Sequence, residues 1–175
     1  MFETKFSVTS STPLDSTIPD EDIIKLLHDF DAVIHTSPDC KGYQLATDQE
    51  TGPPASDATQ VYDCEDALSF IPRRLWDGGV WYKAIYTKQP MGCDITVKAP
   101  AGFTSFNEWR LNVDENGNKS LSIASDAQCS RLFAGTVERA TPGNHEKQFG
   151  RFKEMLQERV ASSTGKPGEG QVQSP

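Results

Sequence analysis

Residues 80–129 read VWYKAIYTKQPMGCDITVKAPAGFTSFNEWRLNVDENGNKSLSIASDAQC, and this stretch decides the fold. Val80–Thr87 is dense in aromatic and β-branched side chains, which favour a pleated, half-buried strand. Pro90-Met91-Gly92 turns the chain. Cys93, Ile95, Val97 and Ala99 then alternate with Asp94, Thr96 and Lys98, the period-two pattern of a second limb. Pro100-Ala101-Gly102 turns the chain again, Phe103–Val113 alternates in its turn, and Asn116-Gly117 is a strong hairpin signal. Ser120–Cys129 closes the series. Hairpin connections imply antiparallel pairing throughout.

Upstream, Glu3–Ser10 alternates around Phe6 and Val8 as a half-buried strand, and Ser11-Thr12-Pro13 is expected to end it. Pro19 opens a helix, with Asp20, Glu21 and Asp22 in the first turn, where the helix dipole favours negative charge. Ile23, Leu26, Leu27 and Phe30 give it one apolar stripe. A second short helix around Ala32–His35 stops near Pro38. Tyr43–Ala46 and Thr59–Glu65 read as strands on either side of a polar loop, 48–58, that contains Gly52-Pro53-Pro54. The stretch Phe70–Trp76 is irregular.

Downstream of Cys129 the pattern is helical. Pro142-Gly143 is expected to interrupt or kink this helix. Beyond it Phe149, Phe152, Leu156 and Val160 repeat on one face, while Lys147, Arg151, Lys153, Glu154 and Glu158 take the wet side. From Ser162 onward the chain is polar and Gly-rich, so the expected division is a domain over 1–161 and a disordered tail over 162–175.

Bulk properties set outer bounds. The chain has 175 residues, a one-domain length, and 36% of them are hydrophobic. A formal net charge of -8 repels phosphate backbones and anionic headgroups, which argues against nucleic acid and membrane-surface partners. No apolar run approaches the roughly 20 residues that span a bilayer. Met1–Phe6 lacks the basic-then-apolar order of a signal peptide, so a cytoplasmic location is expected. Cys40, Cys64, Cys93 and Cys129 are widely spaced, which predicts free structural thiols and no metal site. No motif for a nucleotide or other cofactor is present.

The order is strand, two short helices, about six further antiparallel strands and a long amphipathic helix. The economical packing lays that helix across the concave face of a strongly bent sheet of about seven strands. Sheet and helix cannot touch everywhere, and the gap is a natural small-molecule cavity.

This order, with Pro38, Phe70-Ile71-Pro72, Leu75-Trp76, Val80–Ala84, Gly92-Cys93-Asp94, Pro100-Ala101-Gly102 before Trp109, and Cys129-Ser130-Arg131-Leu132, resembles the START-like (helix-grip) superfamily. Within it the chain is similar to a fungal family of unknown function, over about Phe2 to Val160. Arg73-Arg74 departs from the pattern, where small residues are expected before the Leu-Trp pair. The resemblance implies an α+β helix-grip fold and, through the polyketide cyclases of the superfamily, a link to fungal secondary metabolism. It carries over no catalytic residues.

Candidate residues follow from strand faces. Lys83 marks the outer face of its strand, which turns Tyr82 and Tyr86 inward. Glu108 and Arg110 do the same for Phe103, Ser105, Asn107 and Trp109. Asp63 and Glu65 read as an exposed acidic edge. An inward Asn must find partners or cost about 1–3 kcal/mol. Either Asn107 bonds a neighbouring hydroxyl, or it joins Tyr82, Tyr86 and Ser105 in holding a ligand oxygen. The candidate catalytic set is Tyr82, Asn107 and His28, the last expected to overhang the cavity mouth. The candidate lining set is Tyr62, Tyr86, Phe103, Ser105, Trp109, Ser125, Phe149 and Phe152. His145 is expected to be a solvated residue early in the last helix.

Three functions fit this reading. The first is a cofactor-independent enzyme that folds a polyketide- or terpenoid-derived intermediate for cyclisation, isomerisation or a pericyclic step, largely by orientation. The second is a lipid or hydrophobic-ligand carrier or sensor that catalyses nothing. The third is a regulatory protein whose cavity is filled by Phe103, Trp109, Phe149 and Phe152. The expected partner is an apolar small molecule, and the expected state is monomer or homodimer.

Overall fold

The structure is a computed structural model that describes residues 3–46, 56–67 and 78–164. Residues 48–55 of the expected 48–58 loop, the Phe70–Trp76 stretch with Arg73-Arg74, and the expected tail from 165 onward lie outside the described residues. The elements run β1 (Glu3–Leu14), α1 (Asp20–Leu27), α2 (Phe30–Thr36), β2 (Cys40–Leu45), β3 (Thr59–Ala67), β4 (Gly79–Gln89), β5 (Gly92–Lys98), a 3-10 turn (Pro100–Gly102), β6 (Thr104–Val113), β7 (Lys119–Ser130) and α3 (Arg131–Thr164). The strands form one curved seven-stranded sheet in the order β1-β7-β6-β5-β4-β3-β2, with every neighbouring pair antiparallel. This is the α+β helix-grip arrangement that the order of elements predicts.

Three boundaries differ from expectation, each for a physical reason. β1 does not stop at Ser11 but pairs with β7 as far as Leu14 opposite Lys119, and Pro13 sits opposite Ser120. A proline is tolerated there because β1 is an edge strand, with one side that needs no ladder donor. α3 runs unbroken through Pro142, although that residue removes one helix hydrogen bond. The helix is anchored on both sides of the proline. Ala134 and Val137 pack against Phe6, Ala127 and Cys129, while Phe149, Phe152 and Leu156 enter the main core. Finally, α3 continues past Ala161 to Thr164, so the first three residues of the expected tail are helical.

The main core sits where α1, α2 and the second half of α3 meet the sheet. Ile23, Leu26, Leu27 and Phe152 are fully enclosed. Trp109 lies 6.2 Å from Phe152 and 6.5 Å from Phe149 between ring centroids, which fills this part of the molecule with aromatic surface. The cysteines are free thiols, with Cys40 half-buried and the other three buried.

Candidate functional site

Register lays the inner face of the sheet out in rows. One row crosses Tyr62, Ala84, Val97, Ser105, Ala127 and Phe6; the next crosses Gln60, Tyr86, Ile95, Asn107, Ser125 and Val8. Toward Gly79, Cys64 faces Tyr82 and Asp66 faces Val80. Side chains alternate between faces, so all of these look toward the helix layer.

Burial along these rows is uneven. Trp109, Leu111 and Ile123 are closed off, and Phe152 has no accessible surface. No void wide enough for water touches that ring. By contrast Tyr82, Val97, Ser105 and Asn107 are half-buried, although they face inward. Val97 and Ser105 have paired strands on both sides and side chains that face inward. Ala84, Ser105 and Ala127 keep the side chains of this row small, with Ala84 itself fully enclosed. Phe103, also half-buried, packs with the second cluster at the rim. The inner face therefore has a closed half around Trp109, Phe149 and Phe152, and a half that admits solvent around Tyr82, Val97 and Ser105. Two open depressions, one lined by Met155, Glu158, Arg159, Ser162 and Ser163 and one beside Asn112–Ser120, lie on the outside, away from this face.

Asn107 is satisfied internally. Its Nδ2 donates to Ser105 Oγ at 3.1 Å and to the Ile95 carbonyl at 3.4 Å, and its Oδ1 accepts from Ser125 Oγ at 2.6 Å. The chain of bonds continues into α3. Ser125 Oγ lies 3.0 Å from His145 Nε2, and His145 Nδ1 lies 2.9 Å from Ser10 Oγ. Ser125 gives its one proton to Asn107, so His145 must donate from Nε2 and accept from Ser10 at Nδ1. His145 is 4% exposed, not solvated as expected, and burial pushes its pKa down to about 4. The imidazole is neutral, and it ties α3 to β1 and β7.

His28 is at the other end of the sheet. Its Nε2 donates to the Gln89 and Gly92 carbonyls at 2.9 and 3.1 Å, which fastens α1 to the β4–β5 turn. Seven residues of strand separate Gln89 from Tyr82, a span of about 23 Å. His28 therefore does not overhang the half that admits solvent, and the expected trio of Tyr82, Asn107 and His28 is not brought together. Tyr82 and Asn107 lie two strands apart, and Asn107 is in register with Tyr86, four residues along β4 from Tyr82, so the two are separated by about 16 Å.

Tyr62, Tyr86 and Phe30 form an aromatic run. Tyr62 and Tyr86 meet edge to face at 5.6 Å, and Tyr86 meets Phe30 at 5.3 Å. Tyr62 donates to Gln60 Oε1 at 2.6 Å, and burial pushes its hydroxyl up to about 12. Burial raises Tyr86 well above its ordinary value as well. Both tyrosines serve as packing with tethered or enclosed hydroxyls. Asp63 and Glu65 do face outward, and Asp63 accepts from Lys83 Nζ at 3.0 Å.

One residue of this face escaped the sequence reading. Asp66 continues the Tyr62, Cys64 alternation by one step, past the expected strand end at Glu65. Its carboxyl is hydrogen-bonded by the Tyr82 hydroxyl, yet burial dominates and raises its pKa to about 6, with Asp39 adding to the rise. Its Oδ1 is buried and has no hydrogen-bond partner among the described residues. Burial, with Asp66 as the next contribution, raises the Tyr82 hydroxyl far above its ordinary value, so it stays a donor.

A family profile for a domain of unknown function, DUF7053, matches residues 3–158. The chain belongs to the DUF7053 family. The solved structures similar to this DUF7053 domain include the Zhui aromatase/cyclase of Streptomyces sp. R1128, at 12% identity over 94% of this chain and 100% of that one, with a TM-score of 0.62. A START superfamily protein of Mycobacterium smegmatis is similar at 11% identity over 87% and 98%, with a TM-score of 0.61. The di-domain aromatase/cyclase StfQ of the steffimycin biosynthetic pathway is similar at 14% identity over 89% of this chain and 52% of that one, with a TM-score of 0.60. At such identities the shared property is the fold. No curated protein matches the sequence. No helix among the described residues is long and apolar enough to cross a membrane.

Proposed function

We propose that the DUF7053 domain binds an apolar small molecule against the inner face between Tyr82, Val97, Phe103 and Ser105 and the first half of α3. We further propose that it promotes a cyclisation or isomerisation there without a cofactor. The observation that carries this reading is the half-burial of the inward-facing Val97 and Ser105 in mid-sheet, each flanked by paired strands on both sides. An apolar floor with a few polar tips suits a ligand that is mostly hydrocarbon with one or two oxygens. The substrate class we attach to it is a polyketide- or terpenoid-derived intermediate of fungal secondary metabolism, supported by the aromatase/cyclases among the proteins that share the fold.

Binding is tested with the neutral dye Nile red. Its emission should rise and shift blue with the native protein and should be lost in Val97→Trp, whose side chain fills the space. Met91→Trp, on the exposed hairpin at the other end, should leave the signal intact. A folded Val97→Trp protein that binds the dye as the native one does would end the proposal.

A carrier without catalysis is the second reading, favoured by Asn107, whose amide is consumed by Ser105, Ile95 and Ser125 and has no donor left for a ligand carbonyl. A carrier retains ligand through purification, which native mass spectrometry would reveal as a bound mass.

A further inference from the structure

Resting on the pocket reading just given, we infer that Asp66 is the acid–base residue of this site, that Tyr82 positions it, and that the substrate is an apolar, enolisable carbonyl compound. The geometry has three parts. Asp66 lies on the inner face of β3, one row beyond Cys64 and next to Val80, at the end of the face that admits solvent. The Tyr82 hydroxyl serves its carboxyl from β4. Its Oδ1 lacks a donor among the described residues, and a buried acceptor without one costs about 1–3 kcal/mol. A bound molecule that offers a proton to that oxygen relieves the cost at the moment it binds.

Among the described residues, the surroundings fit a proton carrier and not an ion pair. Among the described residues, the titratable groups facing Asp66 are Tyr82 and Tyr86 from β4, Cys64 from β3, Cys40 from β2 and Asp39 from the turn before it. Each of these is neutral or negative. Arg151 from α3 influences Cys40 but spends its guanidinium on the His35 and Ser37 carbonyls. A carboxyl so placed titrates close to neutrality, where a group gives and takes protons most efficiently.

The step balances without a co-reactant. The Asp66 carboxylate takes a proton from the carbon beside a carbonyl, and the C–H electron pair becomes the carbon–carbon double bond of an enolate as the carbonyl π pair moves to oxygen. In a cyclisation, the enolate carbon forms a bond to a second carbonyl carbon of the same molecule, and the new alkoxide oxygen takes the proton back from Asp66. In an isomerisation, the proton returns to a different carbon. Nothing is oxidised or reduced.

Two probes separate this inference from the pocket reading. 2-Naphthol, flat and enol-shaped, reports binding by its fluorescence. 2-Tetralone, an apolar enolisable ketone, reports proton abstraction by deuterium uptake beside its carbonyl, followed by NMR. The native protein should bind 2-naphthol and accelerate the exchange, with a rate that rises through about pH 6 and levels off. Asp66→Asn should keep 2-naphthol affinity within about threefold and lose about 10²–10⁴-fold in exchange rate. Tyr82→Phe removes a hydrogen bond that favours the carboxylate, so its exchange profile should shift to higher pH. Binding without acceleration, or an Asp66→Asn protein as fast as the native one, overturns the inference and leaves the pocket reading standing. Failure to bind either probe overturns both. Should Asp66→Asn fail to fold, an unshifted Tyr82→Phe profile overturns the inference by itself.

Discussion

His145 Nε2 lies 3.0 Å from Ser125 Oγ, and through this contact the last helix is bonded to the middle of the sheet. The imidazole bridges two hydroxyls, Ser10 on β1 and Ser125 on β7, and Ser125 passes the connection to Asn107 on β6. Four elements are thereby held in one register by neutral polar groups. Such a network stabilises only if it is complete, because each member left alone is a buried polar group without a partner.

Replacing His145 by alanine breaks the network at its centre. Ser10 and Ser125 each lose a partner, and a cavity opens beside Phe149. His145→Ala is expected to cost about 2–4 kcal/mol, the sum of unsatisfied hydroxyls and lost packing. Urea unfolding at pH 7 measures it. A loss under about 0.5 kcal/mol would show that the bridge is dispensable.

His28 makes a contrasting case. Its bonds to Gln89 and Gly92 lie at the far end of β4 from Tyr82. His28→Ala is therefore expected to lower stability by about 1–3 kcal/mol, since two carbonyls lose their shared donor. Nile red affinity and any 2-tetralone exchange should stay within about twofold of native. A hundredfold loss of exchange in a folded His28→Ala protein would restore His28 to the chemistry.

How much of this was legible in the sequence follows the same physics. Strand alternation carries strong information, since a lysine cannot be buried cheaply. Lys83, Glu108 and Arg110 thus sorted Tyr82, Tyr86, Ser105 and Asn107 to the inner face without error. Helix periodicity carries similar information. His145 precedes Phe149 by four residues and Phe152 by seven, the spacing of one helix face, but Pro142-Gly143 suggested a break just before it. Asp66 was missed because a carboxylate after Glu65 looks like more exposed edge, whereas one further step of alternation places it beside Tyr82. Which part of the inner face is filled could not be read at all. It depends on where α3 crosses the sheet, and that is set by contacts of Ala134, Phe149 and Phe152 with distant strands.

Glycines give a test of the backbone. Gly92 opens β5 against β6, and a Cβ there would sit 1.8 Å from the Trp109 carbonyl oxygen. Neither backbone can yield without breaking the ladder around Arg110, so Gly92→Ala should cost roughly 3 kcal/mol or more, at the severe end for single substitutions. Gly143 has nothing within 4 Å of the added carbon and lies inside α3. There Gly143→Ala should stabilise by about 0.5–1 kcal/mol through helix propensity. Opposite shifts in thermal midpoint are the expected result. A destabilised Gly143→Ala protein would argue that the helix is not continuous past Pro142.

The most demanding prediction sets His145 against Asp66. Burial lowers the His145 pKa from 6.5 to about 4, so between those values the unfolded chain takes up a proton that the folded one refuses. Stability from this residue is whole above about pH 6.5 and fades toward pH 4, by about 3 kcal/mol at 1.36 kcal/mol per unit. Asp66 acts in the opposite sense. Its pKa rises from 3.8 to about 6, so the folded chain holds a proton that the unfolded one releases, and its contribution fades as pH rises through that window. That change is also about 3 kcal/mol. Between pH 6.5 and 4 the two nearly cancel, and the native protein should keep an almost flat stability. Removing either residue exposes the other. His145→Gln should be less stable than native at pH 7, with the gap closing toward pH 4, whereas Asp66→Asn should lose about 3 kcal/mol over the same descent. Asp15 and Asp114, whose carboxylates are held low by local hydrogen bonds to Thr17 and Asn118, add an acid dependence common to all three proteins and drop out of the differences. Chemical denaturation at pH 7, 6, 5 and 4 gives the three curves. Parallel curves would mean that neither group changes its protonation on folding, and both the neutral imidazole bridge and the buried acid would then be misread.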